Sequence, residues 1–100
     1  MADKQNPQQS KPIKVSIADK SPLMQTALCT LLSEDARFEV AGTSKNAEEF
    51  LIQVSNGDTD VAVVGWVIPP GDARFILDHL RTRSNAPRVV VYSEIGRAHV

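Results

Sequence analysis

One hundred residues with 42% hydrophobic side chains suit one small globular domain, near the lower limit for a self-sufficient core. Lys and Arg number 11 against 12 Asp and Glu, a formal charge of -1, which leaves no basic excess for gripping nucleic-acid phosphates. A single cysteine excludes an internal disulfide, and with no apolar leader and no apolar run near the roughly 18 residues of a membrane span, a cytoplasmic chain is expected.

Residues 1–12 (MADKQNPQQSKP) are polar and proline-containing, bury nothing that would offset the entropy of ordering them, and read as a disordered leader. Ile13-Lys14-Val15-Ser16-Ile17-Ala18 alternates and is β-branched, so it reads as the first strand, ending at Asp19-Lys20-Ser21-Pro22. Ser21 can cap a helix whose first position is Pro22, where a missing N–H costs nothing. Leu23, Ala27, Leu28, Leu31 and Leu32 then recur at helical spacing to about Ser33, and Cys29 within this pattern is expected to be a buried, inert thiol.

Phe38-Glu39-Val40-Ala41 is a short second strand, with Gly42-Thr43-Ser44-Lys45 as the loop after it. Asn46 precedes Ala47-Glu48-Glu49 as in a capping box, and Ala47, Phe50, Leu51 and Val54 form the apolar stripe of a second helix that stops at Asn56-Gly57. Val61-Ala62-Val63-Val64 is apolar on both faces, which places it centrally in a parallel sheet covered on both sides. Pro69-Pro70-Gly71-Asp72 reads as a turn, Ala73 to about Arg83 as a helix with Phe75, Ile76, Leu77 and Leu80 inward, and Arg88 to Tyr92 as a fourth strand. Alternating strands and helices imply right-handed crossovers and a doubly wound α/β sheet, whose sites form beyond the carboxyl ends of the strands. Asp19-Lys20, Gly65-Trp66-Val67 and Ser93-Glu94 stand there.

From Ile13 to Ser93 the chain resembles the receiver domain of two-component response regulators, particularly those whose full-length protein ends in a LuxR-type helix-turn-helix. Asp19-Lys20-Ser21-Pro22-Leu23 resembles the family's V-D-D-H-P-L opening, Asp60-Val61-Ala62-Val63-Val64-Gly65-Trp66-Val67-Ile68-Pro69 its D-V-V-L-L-D-x-x-M-P, and Val89-Val90-Val91-Tyr92-Ser93 the strand ending in its switch Thr or Ser. The resemblance implies a flavodoxin-like (CheY-like) fold with strand order 2-1-3-4 and the fifth strand missing. It also implies a phosphoacceptor aspartate ending the third strand and two acids after the first that hold magnesium. Here the phosphoacceptor position is Gly65 and the second acid is Lys20, so only Asp19 remains of that set. Magnesium requires hard oxygen ligands, and no aspartyl phosphate forms without an oxygen nucleophile, so no cofactor and no catalytic residue are expected. Asp60 begins the third strand at the far end of the sheet, and Asp72 follows the turn; neither substitutes.

Each remaining residue has a plain and a sharper reading. Lys20 is a solvated loop lysine or a cation that fills the lost metal position and pairs with Asp19. Trp66 covers part of a core or anchors a protein partner. Ser93 is a structural hydroxyl or a retained switch. His79, amid Asp78, Arg81 and Arg83 with no partner at ligand spacing, reads as a solvated histidine. The functional expectation is a phosphorylation-independent signalling receiver, not an enzyme. Its partners would be another protein, its own output domain or a second copy, with DNA reached only through a domain outside this chain and no membrane contact. The alternatives are a phosphate-accepting receiver of a phosphorelay and a flavodoxin-like small-molecule binder, although no Gly-rich phosphate loop follows the first strand.

Glu94-Ile95-Gly96-Arg97-Ala98-His99-Val100 breaks the pattern. Apart from its first base, a coding of these residues reproduces the start of a widely used short-read sequencing adapter, whose next codon is a stop. Residues 94–100 are therefore expected to be a non-native tail, with 13–93 a partial receiver. Amplifying the genomic locus across this junction should yield a different sequence after Ser93; EIGRAHV followed by a stop codon in genomic DNA would overturn that expectation.

Overall fold

Alternation along Ile13–Ala18 (β1) sorts its side chains between the two faces of a sheet. The computed structural model describes residues 11–93, so the readings of residues 1–10 as a leader and 94–100 as a tail lie outside the described residues. After β1 come α1 (Pro22–Ser33), β2 (Phe38–Ser44), α2 (Ala47–Asn56), β3 (Val61–Gly65), β4 (Val67–Ile68), β5 (Gly71–Asp72), α3 (Ala73–Arg81) and β6 (Arg88–Tyr92). The sheet runs β2-β1-β3-β6 with every pairing parallel, the doubly wound order expected, β6 being its fourth strand.

Ala18, Ala62 and Val64 share one face and pack against Ala47, Phe50 and Val54 of α2 and Ala73, Ile76 and Leu80 of α3. Val15 and Ile17, one position out of phase, are buried on the opposite face. That second face carries α1, which contacts β2 and β1 but buries none of its own residues. Leu28, Cys29 and Leu32 are half-buried, so the expected buried thiol is only partly covered, and Leu23 and Leu31 stand 77% and 64% exposed. The helix lies toward the β2 side of the sheet.

A polar network, unforeseen in the sequence, crosses the core between β1, β2 and α2. Ser16 is fully buried, and its Oγ lies 2.6 Å from Thr59 Oγ1 and accepts from Gln53 Nε2 at 3.1 Å. Ser44 Oγ donates to Gln53 Oε1 at 3.0 Å, and Gln25 Nε2 donates to the carbonyl of Asp19 at 2.7 Å. The Gln53 side chain passes so close over Gly42 that a Cβ there would sit 2.2 Å from its nitrogen. Satisfied in this way, buried polar groups tie helix to sheet without the cost of an unmade bond.

Several boundaries differ from the sequence reading. β2 continues through Gly42, Thr43 and Ser44, which had looked like loop, because β1 draws them into the ladder after an irregularity at Val15/Ser16. The turn at Pro69-Pro70 closes a short antiparallel ladder, β4 with β5, that buries Ile68. α3 ends at Arg81, not near Arg83, and Phe75 is 40% exposed where it was expected to point inward. Ser21 and Asn46 cap α1 and α2 as anticipated, accepting from Met24 N at 3.2 Å and Glu49 N at 2.8 Å. Gly57 follows α2 with an extended backbone, so its place there does not rest on left-handed freedom.

Candidate functional site

At the carboxyl ends of β1, β3 and β6 the chain brings Asp19, Gly65 and Tyr92 together. Gly65 is opposite Tyr92 in the β3–β6 ladder, and Asp19 directly follows β1, which pairs with β3. Asp19 is 1% exposed. Its carboxylate accepts from the backbone N–H of Ser21 at 2.7 Å through Oδ1, and from the phenol of Tyr92 through Oδ2. The first bond is local and follows from the turn into α1. The second crosses β3 and joins the first described strand to the last described one. A carboxyl group this deeply buried is costly unless hydrogen-bonded, and the phenol is one of its two donors.

Gly65 makes this closure possible. A Cβ built on it would stand 2.7 Å from Asp19 Oδ2, 3.4 Å from Asp19 Cγ and 3.5 Å from the Tyr92 hydroxyl oxygen. A side chain at position 65 must displace the Asp19 carboxylate, the oxygen of which accepts the phenol bond. Because the Asp19 carboxylate is on a short side chain held by two donors, that displacement is costly.

Lys20 lies exposed beside this pocket and makes no ion pair with Asp19 among the described residues; the partners of Asp19 are Ser21 and Tyr92. Ser93 follows β6 at the same end of the sheet and is exposed. Trp66, next to Gly65, is 41% exposed and does not cover the core; the Arg74 guanidinium lies 5.8 Å from its ring centroid. Arg74 is itself held by Asp72 through Nε and Nη2 at 3.2 and 2.9 Å, and this pairing lowers the pKa of the Asp72 carboxyl below its ordinary value. Asp72 also caps α3, and Asp60 accepts from Lys14 N at 2.9 Å at the opposite end of the sheet, so neither acid belongs to the pocket. His79 is exposed with Nδ1 3.0 Å from the Phe75 carbonyl.

The site does not suit a divalent cation. One carboxylate is present with both oxygens already engaged, a cationic side chain is its neighbour, and among the described residues no cluster of three acidic, His or Cys side chains could enclose a metal. The residue that sequence reasoning missed is Tyr92. Its signal was the register: a strand ending in Gly65 paired with one ending in the only tyrosine.

No family model matches the chain. It is 33% identical over 81 residues to "Probable transcriptional regulatory protein SgaR" of Hyphomicrobium methylovorum, covering 81% of this chain and 38% of that protein. It is also 33% identical over 81 residues to a protein-glutamate methylesterase/protein-glutamine glutaminase of Oleidesulfovibrio alaskensis, covering 81% of the chain and 22% of the relative. The chain thus spans well under half the length of these relatives. Among solved structures, the isolated REC domain of RcsB from Salmonella enterica serovar Typhimurium, determined with the phosphomimetic BeF3-, matches with a TM-score of 0.77 at 16% identity over 87% of this chain and 65% of that one. The response regulatory domain of protein mrkE from Klebsiella pneumoniae matches at 0.72 and 20% identity, over 80% and 66%.

If Gly65 and Tyr92 share one packed space, their substitutions must be coupled. Gly65→Ala should lower unfolding stability by about 1–3 kcal/mol, as overpacking does. Tyr92→Phe should cost a similar amount by leaving Asp19 one donor short. The double variant should fall short of the sum by about 0.5 kcal/mol or more in urea denaturation, since an untethered carboxylate can yield to the new methyl. Strict additivity would mean that the two positions do not compete for the pocket.

Proposed function

This chain has the fold of the receiver domains of response regulators, and we propose that it is a receiver whose signalling does not use phosphorylation. The observation that carries the proposal is the Tyr92–Asp19 hydrogen bond closing over Gly65. It holds the Asp19 carboxylate against the place where the Cβ of a phosphoacceptor side chain would stand. Gly65 offers no nucleophilic oxygen, and the one remaining carboxylate already has its donors, so there is neither an acceptor for a phosphoryl group nor a ligand set to neutralise it. In this reading the chain is not an enzyme and takes no metal cofactor. Ser93 is then a structural hydroxyl with no phosphoryl oxygen to follow, and Lys20 a solvated lysine.

The state of such a module would be set by what it binds. Trp66 is the proposed anchor for a protein partner or for the output domain of the same polypeptide: a large, half-exposed aromatic fixed from one side by Arg74 and ready to bury its other face. The likeness to SgaR, named as a transcriptional regulatory protein, and to RcsB, solved in complex with DNA, supports transcriptional control through a domain outside residues 13–93. Among the described residues no helix is long and apolar enough to cross a membrane.

Incubation with acetyl phosphate and millimolar magnesium, followed by intact mass, should show no phosphoryl adduct. Magnesium with or without beryllium fluoride should leave Trp66 fluorescence unchanged. Gly65→Asp with Lys20→Asp restores carboxylates but leaves Asp19 tied to the phenol, so adding Tyr92→Phe should be needed before magnesium quenches Trp66 saturably. A phosphoryl adduct on the unaltered chain would overturn the proposal.

A further inference from the structure

The groove between α2 and α3 lies away from the Asp19 pocket. It has a volume of about 610 Å³ and a mainly apolar lining that includes Leu51, Ile52, Pro69, Pro70 and Phe75. Ile52 is 56% exposed although it lies on a helix whose neighbours Phe50 and Val54 are fully buried or nearly so. α2 and α3 each follow a strand of a parallel sheet by way of a crossover, so both start at the carboxyl ends of the strands and run side by side in one direction. The first turn of α2 carries Glu48 and Glu49, and the last turn of α3 carries His79 and Arg81, with Arg83 just beyond. These placements complement the helix dipoles. They also set Glu48 at one end of the groove lining and Ser55 and His79 at the other, with Arg83 just outside it, its Nη1 3.3 Å from Ser55 Oγ at the foot of α2.

We propose that this groove is a self-association surface that takes a second copy of the same chain in antiparallel orientation. A two-fold axis lying in the interface and crossing both helices stacks the α2–α3 layer on its mate with the helix directions reversed. Ile52 and Phe75 then meet the same groove of the other copy, and each Glu48 faces the other copy's Arg83 twice over, once for each half of the interface. A parallel arrangement would set acid against acid, so the charge pattern selects one orientation as well as the occupant. The exposed side of α1, with Leu23 and Leu31, is apolar too, but no charge pattern on it selects a partner. The inference does not depend on the state of Asp19, and Tyr92→Phe should leave it unaffected.

Charge reversal separates this arrangement from unspecific association. In sedimentation velocity at low salt, the full chain should self-associate, while Glu48→Lys alone or Arg83→Glu alone should each weaken association by about tenfold or more. An equimolar mixture of the two variants should recover it, because every contact in the mixed dimer then joins opposite charges. Ile52→Asp should abolish association in all combinations, with circular dichroism showing that each variant stays folded. A chain that stays monomeric through the millimolar range, association indifferent to both reversals, or a mixture that fails to recover would each overturn the proposal.

Discussion

The arrangement of the strand ends depends on one buried carboxylate and the donors that satisfy it. An acid that is 1% exposed is costly unless hydrogen-bonded, and Asp19 meets that requirement with the Ser21 N–H from its own turn and the Tyr92 phenol from the last described strand. A Cβ at Gly65 would collide with the carboxylate oxygen that accepts this bond, so the position of Asp19 depends on the absent side chain. The absent side chain and the carboxylate position are therefore linked: a Cβ on β3 at this point and the Asp19 oxygen that accepts from Tyr92 compete for one space. By joining β6 to β1 across β3, this bond also ties down the outer strand, whose Val90 and Val91 remain 53% and 37% exposed.

Away from the pocket, the two faces of the sheet are unequally built. The α2–α3 face has a continuous apolar cluster centred on Phe50, Ile76 and Val64. Beside it, the network of Ser16, Thr59, Gln53 and Ser44 fixes α2 over the β1–β2 pair by direction as well as by contact. The α1 face is thinly covered, with Val15 and Ile17 buried and the helix itself only half engaged. Buried packing is thus concentrated where β1, β3, α2 and α3 meet, the frame from whose strand ends Asp19 and Trp66 extend.

Features governed by local chemistry were legible in the sequence. Ser21-Pro22 and Asn46 announce helix starts because a side-chain oxygen and a fixed φ act within one turn, and the two-sided apolar run at Val61–Val64 announces a central strand. Gly65 and Lys20 were readable as departures because the strand motifs around them survive. What escaped depends on distant partners. Tyr92 meets an acid 73 positions away, and only the β3–β6 register brings it there. Gly42-Thr43-Ser44 carries turn-forming residues yet becomes strand because β1 offers a ladder, and Phe75 follows the inward periodicity of α3 but is turned toward the α2 groove.

The central claim is that the Asp19 carboxylate, with a donor on each oxygen, is closed to a metal ion. Its carboxyl carbon reports this directly by magnetic resonance in a chain labelled at aspartate. During a magnesium titration through the millimolar range the Asp19 resonance should stay in place, while replacing Tyr92 with Phe should move it even without the ion. A saturable magnesium-dependent shift of that resonance in the unaltered chain would show an open, metal-competent pocket and contradict the account.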